Sequence, residues 1–161
     1  MTGRSCFFLG HREADEALYP ALLAQVRRHV ADCGVTEFVV GRNGGFDRLA
    51  ARAVAQVKRE HGGLTTLLLT AYHPAERPVT LPEGFDAVYW PPELAAVPRR
   101  YAIARADRLV LGQVDHLIAW VTHPGSSAAG LLAYARRREA KGLLRVTLLG
   151  GDEPDGRSSF P

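Results

Sequence analysis

Glycine-rich turns that follow apolar runs are the parts of this sequence best suited to chemistry. In the clearest case, residues 44–51 read Gly-Gly-Phe-Asp-Arg-Leu-Ala-Ala, directly after the apolar run 38–41 and directly before a helical pattern. Glycines let backbone N–H groups approach a ligand closely, and a helix N-terminus adds partial positive charge. Gly44 and Gly45 therefore predict an anion site. We interpret Asp47 either as a group that meets ribose hydroxyls or a metal, or as the N-cap of the helix.

A second turn has the same character. Gly10, His11 and Arg12 directly follow the apolar run 5–9. Arginine pairs bidentately with phosphate or carboxylate, and histidine donates to phosphate or carries a proton. These residues predict a further ligand contact, and the alternative is a solvated turn between a strand and a helix.

A third turn and one basic helix start complete the set. Residues 123–127 read His-Pro-Gly-Ser-Ser, in which Gly125 frees the backbone. Ser126 and Ser127 either contact phosphate or cap the following helix. Arg99 stands beside a proline-rich loop, where it either reaches a phosphate or belongs to a solvated basic face.

Several familiar chemistries are not supported by the spacing of these residues. The turns match neither the dinucleotide fingerprint Gly-x-Gly-x-x-Gly nor the Gly-Lys-Ser/Thr of a P-loop. The serines lack the Gly-x-Ser-x-Gly pattern of a hydrolase nucleophile. The six histidines lack the usual metal-ligand spacing. We therefore predict no metal and no cofactor.

Apolar runs alternate with helical patterns along the whole chain, and this positions the turns. Short strands that are apolar on both faces and alternate with helices indicate a parallel sheet covered on each side. We predict a Rossmann-like three-layer α/β sandwich with a mainly parallel sheet of about six strands. Ligands bind such sheets outside the carboxyl ends of the strands. The predicted strands are 5–9, 37–40, 64–69, 87–90, 116–121 and 144–149, and the predicted helices are 14–33, 47–61, 99–111 and 131–141.

Composition sets the remaining expectations. A chain of 161 residues predicts one domain, here residues 1–150, and the polar residues 151–161 predict a flexible C-terminal tail. No apolar run is long enough for a membrane span or a signal peptide, so we expect a cytoplasmic protein with reduced cysteines. The net charge of +3 is mild, and no basic run is interleaved with aromatics, so nucleic acid is not an expected partner.

The turns taken together resemble a known family. Residues 7–12, Phe-Phe-Leu-Gly-His-Arg, resemble the Phe-Thr-Gly-His-Arg opening of the bacterial SLOG proteins in their YpsA-like group (DUF1273). Residues 44–51 are similar to the second motif of that group, Gly-x-Asp-x-x-Ala-Ala. Residues 99–103 resemble its Arg-Asn-x-x-Met helix start, residues 105–107 echo its Asp-x-Ser-Asp, and residues 116–120 resemble its last core strand.

This resemblance implies a fold related to the Lonely Guy phosphoribohydrolases, the DNA-processing protein DprA and, distantly, TIR domains. It implies binding, and sometimes cleavage, of nucleotide-derived ligands. The Lonely Guy enzymes carry Pro-Gly-Gly-x-Gly-Thr-x-x-Glu at the last turn, and Leu132 stands where that glutamate would be. Their matching arginine falls at Arg99. The carboxylate needed for glycosidic cleavage is therefore missing from its expected place.

Three functions follow from these observations. The leading one is a sensor or scaffold that binds NAD, ADP-ribose or a nucleoside monophosphate and is not an efficient enzyme. The second is an N-glycosidic hydrolase in which Asp47 or Glu13 replaces the glutamate, and the third is an interaction module with a vestigial pocket. The sequence leaves a homodimer open. The predicted ligand-binding residues are Gly10, His11, Arg12, Gly44, Gly45, Asp47, Arg99, Gly125, Ser126 and Ser127.

Overall fold

A six-stranded parallel sheet forms the centre of the molecule, and helices cover both of its faces. The computed structural model describes residues 3–42 and 44–150. The predicted tail 151–161 lies outside this range. The strands are β1 (Ser5–Gly10), β2 (Glu37–Val40), β3 (Thr65–Leu69), β4 (Ala87–Tyr89), β5 (His116–Trp120) and β6 (Arg145–Leu148), and the helices are α1 (Tyr19–Ala31), α2 (Gly45–Glu60), α3 (Ala102–Leu111) and α4 (Ser127–Ala140).

The strand order is β4-β3-β2-β1-β5-β6, with every neighbouring pair parallel. From β1 the chain winds outward to β4, then returns to place β5 on the free side of β1 and continues to β6. The direction of winding therefore reverses between β1 and β5. This reversal is the topological switch point, where loops leave the sheet in opposite directions and open a crevice at the carboxyl edge. The predicted α/β class is confirmed.

Alternate side chains of each central strand enter two separate cores. Phe8 and Phe38 point to the face covered by α1 and α2, and their rings stack with centroids 5.9 Å apart. Phe7 and Val39 point to the face covered by α3 and α4. Burial on both faces explains why the strands read as continuous apolar runs in the sequence.

Three helices begin three or more residues away from the predicted start. The predicted helix 99–111 begins at Ala102, because residues 99–101 form a 3-10 turn instead. The predicted helix 14–33 starts late because Asp15 caps a short 3-10 turn, accepting a hydrogen bond from the N–H of Ala17 at 3.0 Å, and α1 follows that turn. The predicted helix 131–141 starts early, because the Oγ of Ser126 accepts from the N–H of Ala129 at 3.1 Å and caps α4. Residues 127–130, Ser-Ala-Ala-Gly, are small, so the sequence shows no apolar periodicity in the first turn of the helix.

The cysteines are free, with Cys6 buried in the core and Cys33 half-buried. Burial raises the pKa of the Cys6 thiol far above its usual range, which keeps it protonated and unreactive. Within the described part of the chain, no helix has the length and apolar character that crossing a membrane requires.

Candidate functional site

His11 joins the ends of β1 and β5 at the switch point. Its Nε2 accepts hydrogen bonds from the backbone N–H of Thr122 at 2.8 Å and of His123 at 3.3 Å. A ring nitrogen that accepts carries no proton, so the proton of the neutral ring is on Nδ1. Burial, followed by the neighbouring His123, lowers the pKa of His11 and favours this neutral form. His11 therefore fastens two strand ends together.

Glu13 and His123 pair on the solvent side of His11. The His123 ring hydrogen bonds to the Glu13 carboxylate, and this bond lowers the pKa of Glu13. Ligand atoms of His11, Glu13 and His123 lie within 4.8 Å of one another, the one such group of possible metal ligands in residues 3–42 and 44–150. The Nε2 lone pair of His11 already accepts from the backbone, which leaves two ligands for a metal. A stable site usually needs at least three.

The glycines of the second turn pack against the first turn. Gly44 has φ +137°, and a Cβ added there would lie 2.7 Å from the Cα of Arg12. The N–H of Gly45 donates to the carbonyl of Arg12 at 2.8 Å, and that of Phe46 donates to the carbonyl of His11 at 3.4 Å. Two amides of the α2 N-terminus are therefore engaged within the protein. These glycines allow the two turns to pack closely, and their predicted contact with a ligand stays a prediction.

Gly10 and Gly41 also make room for neighbouring side chains. A Cβ at Gly10 would overlap the ring of Phe46, which is 1% exposed. A Cβ at Gly41 would lie 2.8 Å from Oδ2 of Asp47. The Asp47 carboxylate therefore lies over the end of β2. The N-cap of α2 is Gly44, so Asp47 is not the cap that the sequence offered as its alternative role.

In the third turn, Ser126 caps helix α4, and the residues on either side of it are exposed. The Oγ of Ser126 donates to the carbonyl of His123 at 2.7 Å while it caps α4, which is the alternative that the sequence had left open. Gly125 is exposed with φ +80°, and Ser127 is the exposed first residue of α4. Leu132 packs against the core beneath α4. The position where the resemblance expects a glutamate is thus filled by an apolar contact.

A pocket of about 180 Å³ opens beside these turns, at the carboxyl ends of β2 and β3. Helix α3 forms one wall and the loop after β3 forms another. The lining residues are Gly41, Arg42, Leu69, Thr70, Ala71, Tyr72, Arg77, Val79, Ile103, Ala106 and Asp107.

Arginines and a tyrosine form the rim of this pocket. Arg77 lies over the ring of Tyr72, with Cζ 4.5 Å from the ring centroid, and Arg99 lies 5.1 Å from the same centroid. Arg99 also donates to Glu76 at 2.6 Å. Arg42 and Arg77 have no carboxylate partner among the described residues. The rim is therefore positively charged.

Asp107 is the most perturbed acid of the site. It lies on the α3 wall, and its carboxyl has no hydrogen bond or ion pair within residues 3–42 and 44–150. Burial, together with the negative charge of Asp47, raises its pKa from 3.8 to about 7. Thr70, which is 6% exposed, also lines the pocket, and its Oγ1 is buried with no partner in the described structure. Perturbed acids and unsatisfied polar groups of this kind concentrate at functional sites.

Sequence reasoning did not select Asp107, Thr70 or Arg77. A signal for Asp107 exists, because it shares one face of α3 with Ile103 and Leu111, four residues away on either side, and an acid is unusual there. Of the predicted residues, Asp47 acts on the pocket through its charge and Arg99 stands at its rim. The others form the neighbouring part of the carboxyl edge.

The fold and the site define a class: an open parallel α/β protein with a polar pocket at the carboxyl edge, near the switch point of the sheet. The sequence matches no protein-family model and has no significantly similar counterpart among curated proteins.

Proposed function

We propose that this protein binds a nucleotide-derived small molecule of the NAD, ADP-ribose or nucleoside monophosphate type, as a cytoplasmic sensor or scaffold. The observation that carries the proposal is the pocket at the carboxyl edge. It combines an arginine-rich rim, an aromatic ring, a half-buried carboxyl and a hydroxyl that has no partner among the described residues. The resemblance to SLOG proteins supports the same ligand class.

The chemistry of the lining suits the parts of a nucleotide. Arg42 and Arg77 offer positive charge and fork-shaped donors to phosphate. Thr70 offers its hydroxyl to the ribose, and a hydrogen bond there would satisfy a buried hydroxyl that has no partner among the described residues. The half-buried ring of Tyr72 is already flanked by guanidinium groups and extends this polar rim.

The size of the pocket indicates that it holds only part of such a ligand. Pockets that bury a whole drug-sized molecule measure roughly 300–1,000 Å³, whereas this one measures about 180 Å³. A sugar-phosphate unit therefore occupies the pocket, and the remainder of the ligand lies along the carboxyl edge toward Arg12 and Gly125. Both residues are exposed there.

Calorimetric titration with NAD, ADP-ribose and AMP tests the proposal. Charged hydrogen bonds contribute about 1.5–3 kcal/mol, so Arg77→Ala should weaken binding by roughly tenfold or more. Arg59→Ala is the matched control, because Arg59 is an exposed arginine at the far end of α2. If none of the three ligands binds at millimolar concentration, the proposal is wrong. Light scattering on the same samples measures whether the protein is a homodimer.

One observation favours N-glycosidic hydrolysis as a second candidate. Burial and the charge of Asp47 raise the pKa of Asp107 to about 7, and such a pair can divide the roles of proton donor and electrostatic stabiliser. Asp107 would protonate the leaving base, and the ionised Asp47 would stabilise positive charge on the sugar before water attacks it. Chromatography of released base tests this candidate with the same three ligands. Absence of base at high protein concentration, with binding intact, excludes it.

A further inference from the structure

We propose that the pocket holds a phosphate group of the ligand against the protonated carboxyl of Asp107, so that binding above neutral pH takes up one proton. The inference rests on the proposed function, since it specifies how that same site recognises its ligand. It assigns Asp107 the role of a hydrogen-bond donor that exists only while the carboxyl is protonated.

The lining of the pocket supports an anion at this place. Arg42 and Arg77 belong to the same lining as Asp107 and have no carboxylate partner in residues 3–42 and 44–150. Neither guanidinium is among the groups that shift the pKa of Asp107. The arginines therefore share the pocket with Asp107, and none of the ion pairs among the described residues joins them to it. The space between them suits a phosphate, which accepts hydrogen bonds from both sides.

The surroundings of Asp107 favour its protonated form when an anion is present. Asp47 acts on it from α2. Arg42, just after β2, and Tyr72 and Arg77, in the loop after β3, line the same pocket. On α3 itself, Arg105 is exposed, and Arg108 lies over the Tyr134 ring with Cζ 3.9 Å from its centroid. Burial and Asp47 already disfavour the carboxylate, and a bound phosphate adds further negative charge.

The proton balance follows directly. Above its pKa of about 7 the free Asp107 is a carboxylate. On binding it takes a proton from the buffer, and the new O–H donates to a phosphate oxygen. Below that pH the proton is already present and none is exchanged. Affinity should therefore fall by about tenfold per pH unit on the alkaline side, as linkage to one proton requires.

Calorimetry with ADP-ribose in buffers of different ionisation enthalpy counts the protons. The diphosphate diester of ADP-ribose has no titrating group near neutral pH, whereas a phosphate monoester has one at a pKa of about 6. We expect uptake near one proton at about pH 8 and near zero at about pH 5.5. Ribose 5-phosphate and inorganic phosphate, titrated in the same way, show whether a sugar phosphate or phosphate alone is sufficient.

Asp107→Asn is the decisive variant, because its amide is neutral at every pH and still donates a hydrogen bond. It should bind ADP-ribose with the same affinity from about pH 6 to about pH 9 and without proton uptake. Asp32→Asn, at an exposed carboxylate next to the end of α1, should behave as the wild type. Thermal unfolding confirms that both variants fold.

The outcomes separate this inference from the proposed function. Binding of ADP-ribose without proton uptake, or uptake that persists in Asp107→Asn, overturns the inference and leaves the proposed function standing. No binding by any of the nucleotides or phosphates overturns both. Proton uptake in the wild type that is lost in Asp107→Asn supports the inference, with the smallest probe that shows it identifying the group that the pocket recognises.

Discussion

Replacing Asp107 by asparagine should stabilise the protein at neutral and alkaline pH, although it removes a residue of the site. The unfolded chain ionises this carboxyl near its ordinary pKa of 3.8, whereas the folded protein holds the pKa at about 7. Between these two values the unfolded state is ionised while the folded state stays protonated. Stability is therefore lost as pH rises through this window, and the full loss is present above it.

The magnitude follows from the two pKa values. One pKa unit is worth about 1.4 kcal/mol, so the difference between 3.8 and about 7 sets an upper bound of about 4 kcal/mol. Asparagine has nearly the same shape and no charge, so it should recover about 2–4 kcal/mol above neutral pH and almost nothing near about pH 4. In a domain of this size the gain raises the Tm by roughly 5–15 °C.

Urea unfolding of Asp107→Asn and the wild type at a series of pH values measures the effect. Asp32→Asn serves as the control and should change the free energy of unfolding by less than about 0.5 kcal/mol throughout, because its carboxylate is exposed. A destabilised Asp107→Asn at alkaline pH, or a stabilisation that does not vary with pH, would show that Asp107 is not held neutral in the fold.

Two further predictions concern the core. Gly10→Ala should lower the free energy of unfolding by about 1–3 kcal/mol, because its Cβ would overlap the Phe46 ring. Gly130→Ala, in open space on α4, is the control and should raise the free energy of unfolding by up to about 1 kcal/mol. Equal effects of the two substitutions in chemical denaturation would contradict this packing. Burial, followed by the neighbouring His29, lowers the pKa of His116 from 6.5 to about 4, so stability should fall by up to about 3 kcal/mol as pH decreases through that window. His116→Phe should remove most of this acid sensitivity in Tm measured against pH, and an unchanged profile would refute the assignment.

The strands were predictable because their signal is local. The continuous apolar runs predicted β2 at residues 37–40, where the structure has it. The predicted bounds of the other strands agree with the structure to within two residues at each end. Helix starts were less predictable, because a cap such as that of Ser126 depends on one hydroxyl and on the turn conformation before it. Proline punctuation correctly predicted that the long segment before α3 is mostly loop, with β4 in its middle.

The site was predictable only in part. The turns at the carboxyl edge follow from parallel winding, which puts the ends of β1, β2 and β5 at one edge of the sheet. What each residue does there was not predictable from its type. The type of Gly45 predicts a phosphate contact, which stays a prediction, and it gave no sign that the Gly45 amide donates to the carbonyl of Arg12. Nor did the type of His11 indicate that its ring accepts a hydrogen bond from the N–H of Thr122 at the end of β5.

By itself the sequence determined the class of the fold and the edge of the sheet at which the glycine-rich turns meet, because apolar periodicity and turn chemistry act over a few neighbouring residues. Only the tertiary structure decided which polar groups face a pocket. Asp47 and Asp107 lie far apart in the chain, and their interaction exists because α2 and α3 bring both to the carboxyl edge. A pKa is set by burial and by the charges nearby in space, and neither quantity is encoded by local sequence.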